Sequence, residues 1–539
     1  MKKIILYTTA LLLMVSCSKM MDTEPTTESS LGMLKSTDGM QVALDGIYAS
    51  MYNRIDFLTA NAHQTNGNMA IFLAADLMGE DIVHTAKGPG WFWNDYTYGV
   101  RERYASKIQR CYFVWMYFYE LINNANAIIA AAESASGEPA KRDCILGQAY
   151  AIRAFCYFML IQSYQQTYIG HQDSPGVPVY TEATISSSQP KGRGTVQQVY
   201  DLIVDDIEQS LSLLEASGME QDHISHLDKY AVNVLRGRVA LVMNDWDKAV
   251  ESADIALSKP GCHILSQQEA TVVKGKYSSE GWTTGSTPFN DVTSGDVLWG
   301  MEIISSQSRV YASFFSIMDA CTDVYYAAES PKCISNWLYA HIPDSDVRKG
   351  WWNGDIGIPA ADWGYGANIN YNQHKFQWKN QSTLAGDYIF MRMEEACLIK
   401  AEALCHKGLY QEARDAISAL GSKRDPHYAD RLALVSDSNV LRPSSCDEPE
   451  TLMDEIILQR RIELWGEAGR IYDIHRLGQS WTRSWTINGQ ESNHSDLLSR
   501  YAEYQAFPSD YIESILLIPQ TEIDLNPNID AADQNPYVN

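Results

Sequence analysis

Two segments of this chain repeat the same order of features, and they restrict its fold more than any other part of the sequence. Residues 228–257, DKYAVNVLRGRVALVMNDWDKAVESADIAL, combine an apolar helical pattern rich in small residues with a short turn and a second helical pattern that starts at Trp246. Residues 388–420 repeat this order, with Gly408 in the turn and Tyr410 at the start of the second pattern. Each segment therefore predicts a pair of closely packed helices.

Both segments resemble tetratricopeptide repeats, in which small residues let paired helices approach closely and an aromatic side chain fills the turn. They start about 160 residues apart, so they do not form a contiguous array of repeats. We predict a mostly α fold, a right-handed helical tetratricopeptide-like scaffold with a large, irregular insertion that is rich in loops and short strands. The 539 residues suffice for such a scaffold.

Two further helices are predicted upstream. Residues 111–132 and 144–164 each place apolar side chains one helical turn apart, which is typical of helices that pack in a core. Arg153 on the second helix must either extend to solvent or pair, because an unpaired buried charge is costly. Free cysteines in such helices usually behave as small core hydrophobes, and we expect this of three of them: Cys156, Cys397 and Cys405.

The predicted insertion covers residues 258–387 and differs in composition from the helical segments. It is rich in glycine, serine, asparagine and aromatic residues and has little helical periodicity, so loops and short strands are expected. A separate loop-like segment, residues 85–99, reads TAKGPGWFWNDYTYG and places five aromatic residues between glycines. Loops carried on a rigid scaffold are where binding residues concentrate.

The N-terminus has the pattern of an export signal. Two lysines, Lys2 and Lys3, precede an apolar run that ends at Val15, and this run is too short to span a bilayer. Ser16 and Cys17 then resemble the lipobox of bacterial lipoproteins, in which the cysteine is lipidated and becomes the first residue of the mature chain. We predict a signal peptide over residues 1–16, a lipidated Cys17 with a tether to residue 30, and one folded body over 31–539. An ordinary signal peptide is the alternative.

The composition argues against several functions. A formal net charge of −25 disfavours binding to nucleic acid or to an anionic membrane surface. Ten cysteines and twelve histidines show no spacing typical of a metal site, so no metal and no cofactor are expected. No G-x-S-x-G, H-E-x-x-H or phosphate-binding glycine motif occurs. Adjacent Glu394 and Glu395 point about 100° apart on a helix, which does not suit a catalytic acid and base. We therefore predict a protein that is not an enzyme.

Near the C-terminus, two stretches carry a family resemblance. Residues 455–478, EIILQRRIELWGEAGRIYDIHRLG, and the closing segment ILLIPQTEIDLNPNIDAADQNPYVN resemble the SusD/RagB family of Bacteroidetes surface lipoproteins. The matching positions are Arg461, Glu463, Leu464, Gly469, Arg470 and Asp473, followed by Pro519, Asn526-Pro527 and Gln534-Asn535-Pro536. The family's closing pattern begins pro-x-pro, and this chain has Ile518-Pro519 there, without the first proline. The lipobox, MMDTEP, LDGIYASMYN and RAFCYFMLIQSY extend the resemblance over the whole chain.

This resemblance implies a mostly helical fold with four tetratricopeptide-like units. It also implies a role in holding ligand over a SusC-like, TonB-dependent outer-membrane transporter, without cleaving the ligand. The signature residues Arg461, Glu463, Arg470 and Asp473 lie at spacings that suit buried ion pairs between helices, with a partner contact as the alternative. Asp76, Glu80 and Asp81 could bind a cation or a hydroxyl group, but a solvated helix end explains them more simply.

Sugar binding needs flat apolar faces and polar groups beside them. The sequence offers the following ligand-binding candidates: Trp91, Trp93, Asn94 and Tyr96 in the loop at residues 85–99, and Trp282, Trp351, Trp352 and Trp363 in the insertion. Asp95, Asn353 and Asp355 stand beside them. The alternative is that these aromatic residues fill small loop cores, which we weigh above ligand contact for Trp91 and Tyr96. For Trp351 and Trp352 we expect at least one exposed ring, because neighbours in extended chain point opposite ways.

The sequence thus predicts a lipid-anchored outer-membrane protein that captures oligosaccharide and is exposed at the cell surface. Capture of peptides by the same uptake system is one alternative, and a helical scaffold that binds no small ligand is another. An anchor that faces the periplasm also remains open, because surface exposure follows from the resemblance alone.

Overall fold

A computed structural model of the chain describes residues 32–53, 64–85, 91–98, 110–185, 187–278, 281–283, 285–307, 313–319, 330–357, 369–380, 382–446, 448–467, 469–494 and 507–536. For 276–278 and 281–283 the description is limited to the backbone. The signal peptide, Cys17 and the tether lie outside these residues, so their prediction stays open.

The described chain is built mainly from helices. Their bounds are α1 Thr37–Ser50, α2 Gly67–Met78, α3 Trp93–Tyr96, α4 Arg110–Ala131, α5 Pro139–Tyr164, α6 Val196–Ser217, α7 Lys229–Met243, α8 Trp246–Leu257, α9 Phe314–Met318, α10 Asn336–Ala340, α11 Met393–His406, α12 Tyr410–Gly421, α13 Tyr428–Leu432, α14 Leu452–Glu463, α15 Arg470–Leu477 and α16 Gln520–Leu525. The strands are short: β1 Ile82–His84, β2 Lys276–Ser278, β3 Gly281–Thr283, β4 Val297–Met301, β5 Lys332–Ile334, β6 Tyr388–Arg392, β7 Thr486–Ile487 and β8 Gln490–Glu491.

The long helices pack in consecutive pairs, α4 on α5, α5 on α6, α7 on α8 and α11 on α12. Helix α8 also packs against α11, so the two repeated units of the sequence are neighbours in space. At this contact Trp246 stacks on His406, with ring centroids 4.0 Å apart. The helical scaffold predicted from the repeats is confirmed, and the chain between the two units is looped out of it.

Turn and cap residues explain the close helix pairs. Asn244 ends α7 with a φ of 58°, and the next residue, Asp245, caps α8 by accepting a hydrogen bond from the backbone of Lys248. On α7, a Cβ added at Gly237 would lie 3.1 Å from the Cγ2 atom of Ile399 on α11. Glycine at this position is what lets the two units approach.

Helix α5 forms the centre of the N-terminal half. It is long and apolar enough to cross a membrane by length and composition, but 83% of its most apolar window is buried within the fold. Its Arg153 pairs with Asp206 of α6 through two hydrogen bonds of 2.8 and 2.7 Å. Arg153 is thus paired, and Cys156, Cys397 and Cys405 are buried as predicted.

The strands form four antiparallel two-stranded sheets, β1–β5, β2–β3, β4–β6 and β7–β8. The buried β4–β6 ladder joins the middle of the predicted insertion to the residues that lead into α11. The β1–β5 pair links residues 82–84 to 332–334. The loop-rich, short-strand character predicted for this region is confirmed.

The signature residues near the C-terminus form buried ion pairs, as predicted. Arg461 binds Asp81, with Nη2 to Oδ1 at 2.6 Å, and Arg470 binds Glu80 at 2.9 Å. Glu463 receives two hydrogen bonds of 3.0 Å from Arg424. Asp473 lies between Arg460 and Arg476. The pairs of Arg461 and Arg470 join segments 380 and 390 residues apart in the sequence, whereas those of Asp473 stay within two neighbouring helical segments.

The acidic cluster at the end of α2 corrects one expectation. Asp76, Glu80 and Asp81 are buried rather than solvated, because α15 and the end of α14 cover them. Asp76 accepts a hydrogen bond of 2.7 Å from the backbone of Arg470, and burial raises its pKa to about 8.

The adjacent glutamates of α11 are also held by arginines. Glu394 binds Arg424 at 2.9 Å and Glu395 binds Arg238 at 2.6 Å. Both carboxylates are buried, and they serve the junctions between helices.

Candidate functional site

Three buried side chains anchor the loop at residues 91–98 to the core of the fold. Asp95 is buried and accepts two hydrogen bonds from Arg110, at 3.0 and 3.2 Å. Phe92 lies under the loop with the Arg110 guanidinium 4.9 Å from its ring centroid. Tyr98 is buried and donates from its hydroxyl to the backbone of Met78. These contacts fix the position of the short helix α3.

The same loop carries backbone strain. Phe92 and Tyr98, which flank α3, have φ values of 64° and 58°. Bulky side chains rarely adopt this region, and each such residue costs roughly 1–3 kcal/mol. Trp91, Trp93 and Asn94 of this loop are each half-buried, and both tryptophans pack against the core with part of their surface accessible. Strained loops of this kind concentrate at binding sites.

Trp93 begins a row of aromatic rings that runs through the interior and ends in two half-buried indole rings. We call Trp93, Tyr96, His494 and Trp485 the aromatic row. Successive ring centroids are 5.6, 5.8 and 5.1 Å apart. Trp93 and Trp485 are the half-buried ends, and Tyr96 and His494 are the buried middle. The row therefore offers two indole rings on a rigid support.

Hydrogen bonds fix the tautomers of the histidines that support the row. His494 donates from Nε2 to the carbonyl of Glu80, so its Nδ1 accepts the Tyr96 hydroxyl proton at 2.7 Å. His84 donates from Nε2 to the carbonyl of Trp91 and packs edge-on against Trp93. Burial and nearby positive charge lower the pKa of His494 to about 3 and also depress the pKa of His84. Both rings are neutral at physiological pH.

A polar cluster forms where residues 355, 370 and 371 meet the hairpin that follows Trp485. We define it as Asp355, Asn370, Tyr371 and Gln490. Gln490 of β8 donates to Asp355 Oδ2 at 2.8 Å and accepts from the Tyr371 hydroxyl at 2.9 Å. Asn370 donates to the other carboxylate oxygen of Asp355. Asp355 and Gln490 are exposed, so carboxylate and amide groups are available beside the aromatic row.

The prediction for Trp351 and Trp352 is wrong. Their exposed fractions are 0% and 1%. Trp351 ends a 3₁₀ helix over Val347–Trp351 and donates from Nε1 to the carbonyl of Ala270. Trp352 packs against Trp465, with centroids 5.5 Å apart. The alternation of an extended strand does not apply here, and both sides of the chain are covered by other segments.

The remaining candidates fall into three groups. Trp91, Trp93 and Asn94 are half-buried at the surface, and Asp355 belongs to the polar cluster. Tyr96 is fully buried, so it supports Trp93 and presents no surface of its own. Trp363 and the side chain of Trp282 lie outside the described residues, and their role stays a prediction.

Sequence reasoning missed Trp485, His494 and Gln490. A signal for them was present in WTINGQ, where Asn488-Gly489 is the dipeptide most typical of a two-residue hairpin turn. Both residues have positive φ values, 51° and 77°, as that turn requires. An exposed hairpin next to a tryptophan could therefore have been predicted.

Within the described ranges, no group of three or more histidine, cysteine or acidic residues could hold a metal ion. The eight described cysteines carry free thiols. The site consists of aromatic faces, amides, hydroxyls and one carboxylate, a composition suited to a neutral polar ligand.

The fold defines a class: a helical, tetratricopeptide-like scaffold with loop-rich insertions. A family model described as starch-binding and associating with the outer membrane matches residues 34–241. The model of the SusD family matches residues 354–537. The chain belongs to the SusD/RagB family, whose members are binding proteins associated with the outer membrane.

Known proteins agree with this assignment. SusD-like protein P38 of Formosa agariphila is 25% identical over 414 residues, covering 70% of this chain and 74% of the relative. A SusD-like carbohydrate-binding protein from Bacteroides vulgatus has the same fold, with a TM-score of 0.71 at 22% identity over 93% of this chain and 98% of that one. Surface glycan-binding protein A from Bacteroides thetaiotaomicron also has a similar fold, with a TM-score of 0.63 at 15% identity over 94% of this chain and 100% of that one.

Proposed function

We propose that this chain is a surface lipoprotein that captures oligosaccharide and delivers it to a SusC-like, TonB-dependent transporter in the outer membrane, without cleaving it. The observation that carries the proposal is the aromatic row beside the polar cluster. Two half-buried indole rings can stack on the carbon–hydrogen faces of sugar rings, while Asp355 and Gln490 can bind hydroxyl groups. The carbohydrate- and glycan-binding proteins of similar fold add support.

The rigidity of the row favours binding. Tyr96 and His494 are fixed by hydrogen bonds, and Trp485 donates from Nε1 to Asn336 at 2.6 Å. Side chains that are ordered before the ligand arrives lose less conformational entropy on binding. Each ring that stacks on a sugar then contributes directly to affinity.

The experiment is isothermal titration of the chain from Ser18 onward with host and plant oligosaccharides and with a mixed-peptide panel. We expect saturable heat with an oligosaccharide, and at least a tenfold loss of affinity in Trp93→Ala and Trp485→Ala, the typical effect of removing an aromatic anchor. Trp246→Ala is the matched control, because Trp246 is also half-buried but lies on the scaffold. The recovered sugar should be uncleaved.

Other results would redirect the proposal. Heat with peptides and not with sugars would favour peptide capture. Silence with both panels would favour a scaffold without a small ligand. Sugar binding that survives both row variants would place the site elsewhere on the molecule.

The transporter partner rests on the family resemblance and needs its own test. A tagged full-length chain purified from detergent-solubilised outer membranes should carry a large β-barrel protein in equal amount. Recovery of the chain alone, under conditions that keep other membrane complexes intact, would contradict delivery through a stable partner.

A further inference from the structure

A second concave site lies on another part of the fold. It is a cleft of about 320 Å³ between α4, residues 179–185 and 187–190, and α16. Small-molecule sites typically start at about 300 Å³. The cleft shares none of its lining residues with the aromatic row or the polar cluster. We call it the α4 cleft.

Three aromatic rings form its walls and are held in place. Trp115 and Tyr119 of α4 have centroids 5.0 Å apart, and Tyr119 and Tyr180 have centroids 5.8 Å apart with planes at 84°. The Tyr119 hydroxyl donates to the carbonyl of Pro178, and the Tyr180 hydroxyl accepts from the backbone of Lys191. Differently oriented, fixed rings offer both a face and an edge to a ligand.

Two polar side chains of the α4 cleft each have an atom that forms no hydrogen bond with the described residues. Asn123 accepts from the backbone of Thr184 through Oδ1, and among the described residues its Nδ2 has no acceptor. Glu522 of α16 accepts from Asn526 through Oε1, and no described residue donates to its Oε2. A donor and an acceptor are thus available to a ligand beside the rings.

The charges of the α4 cleft balance. Glu522 lies close enough to Tyr119 and Tyr180 for its charge to add to the rise in their pKa values, which burial mainly causes. Lys191 lies just outside the lining, donates to the carbonyl of Val179, and supplies the opposite charge with its Nζ 5.6 Å from the Tyr180 ring centroid. One carboxylate and one ammonium group favour neither anionic nor cationic ligands.

We propose that the α4 cleft is a second binding site, for a neutral saccharide of one or two rings. The sugar stacks on the tyrosine rings and bonds through its hydroxyls to Asn123 and Glu522. This inference does not depend on the proposed function of the aromatic row, because the two sites use different residues. With both sites filled, one chain would hold two points of a single glycan or two separate glycans.

The test is methyl NMR of the chain from Ser18 onward, with glucose, maltose, cellobiose and lactose as neutral probes and glucosamine and glucose 6-phosphate as charged probes. The methyl groups of Met116 and Leu525 report on the α4 cleft. Leu434 is the control methyl, since it is 83% exposed against 81% for Leu525. We expect a neutral probe to shift the two cleft signals saturably, and to do so equally in Trp93→Ala.

Three variants complete the experiment. Glu522→Gln should weaken binding about tenfold, because a hydrogen bond to an ionised carboxylate is stronger than one to a neutral amide. Leu434→Ala should leave the cleft response unchanged, whereas Leu525→Ala should weaken it. Absence of saturable shifts with every neutral probe, a response confined to the charged probes, or full binding in Glu522→Gln would each overturn the proposal.

Discussion

At the scale of single residues, Asp473 illustrates how strongly the fold depends on buried pairs. Its carboxylate accepts from Arg460 at 2.8 Å and from Arg476 at 2.7 Å. We expect Asp473→Asn to lower the free energy of unfolding by about 3–5 kcal/mol, because it removes the buried anion between two guanidinium groups. Among the described residues, Arg460 then keeps only the longer contact with Glu395, and Arg476 keeps only Glu402. Urea unfolding followed by circular dichroism measures the change.

The control is Asp437→Asn. Asp437 is 58% exposed and pairs with Arg414 at the surface, and such pairs contribute about 0–1 kcal/mol. Equal losses in both variants would contradict the distinction drawn between buried and surface pairs.

Trp351 leads to a prediction about stability rather than binding. Its ring packs edge-on against Phe289 with centroids 4.8 Å apart. Trp351→Ala should destabilise the fold by about 3–5 kcal/mol, the usual range for removing a buried tryptophan. Urea unfolding measures this loss, and titration with the oligosaccharide that binds the unaltered chain should then give an unchanged affinity below the unfolding transition. A stable variant with weakened affinity would instead mean that Trp351 contacts the ligand.

The residue scale also shows where sequence reasoning succeeds. The spacing of Arg461, Arg470 and Asp473 predicted buried pairs correctly, since charges on apolar helices must find partners. The burial of Trp351 and Trp352 could not be predicted. It depends on Ala270, Phe289 and Trp465, which come from distant segments and leave no local pattern.

At the scale of elements, the close contact between α7 and α11 depends on a glycine, Gly237, at the point where the helices meet. Gly237→Val should force the helices apart, because the new Cβ would lie 3.1 Å from Ile399 before its methyl groups are counted. We expect a loss of about 1–3 kcal/mol in unfolding free energy, typical of overpacking. Thermal or urea unfolding tests it.

Gly46 provides the matched comparison. It lies on the exposed side of α1, with no atom within 4 Å of an added Cβ. Gly46→Ala should stabilise the protein by about 0.5–1 kcal/mol through helix propensity alone. A stabilising Gly237→Val would show that the helices can separate without penalty.

Periodicity predicted most of the helices of the scaffold, because it reports which face of a helix is apolar. It does not report which helix covers that face. The direct contact of α8 with α11 across the insertion therefore required the structure. The aromatic row could not be predicted from periodicity either, since Trp93 and Trp485 are almost 400 residues apart in the chain.

At the scale of the whole molecule, the buried carboxylates predict acid sensitivity. Burial alone would raise the pKa values of Glu463, Glu467 and Asp473, but the arginines and Lys375 around them outweigh burial and lower all three. Their contribution to stability is complete above the unfolded-state pKa of about 4.5 and is lost as the pH falls toward the folded-state values. Asp76, with its raised pKa, acts in the opposite sense.

We therefore expect the free energy of unfolding to fall by several kcal/mol between about pH 5 and pH 3, as measured by urea midpoints across that range. The slope should be shallower in Asp473→Asn, which removes one of the three titrations. A flat profile in the unaltered chain would contradict the lowered pKa values.

The proposed anchor is tested on whole cells. Cys17→Ala should release the protein from the membrane fraction, whereas Cys156→Ala should not, because Cys156 is buried in α5. Protease treatment of intact cells then distinguishes the two orientations: cleavage of the unaltered protein supports surface exposure, and protection supports an anchor that faces the periplasm.

The packing of α8 on α11 has a consequence for how such a protein can diversify. The two helices close the base of a large loop, and the entropy of loop closure changes by only about 0.6 kcal/mol for each doubling of loop length. Exposed loops between Leu257 and Met393 could therefore be lengthened at little cost in closure entropy, whereas buried segments of the same region, such as β4 and residues 347–352, must keep their packing. Such a chain can acquire new specificities by replacing its recognition loops and inheriting its architecture.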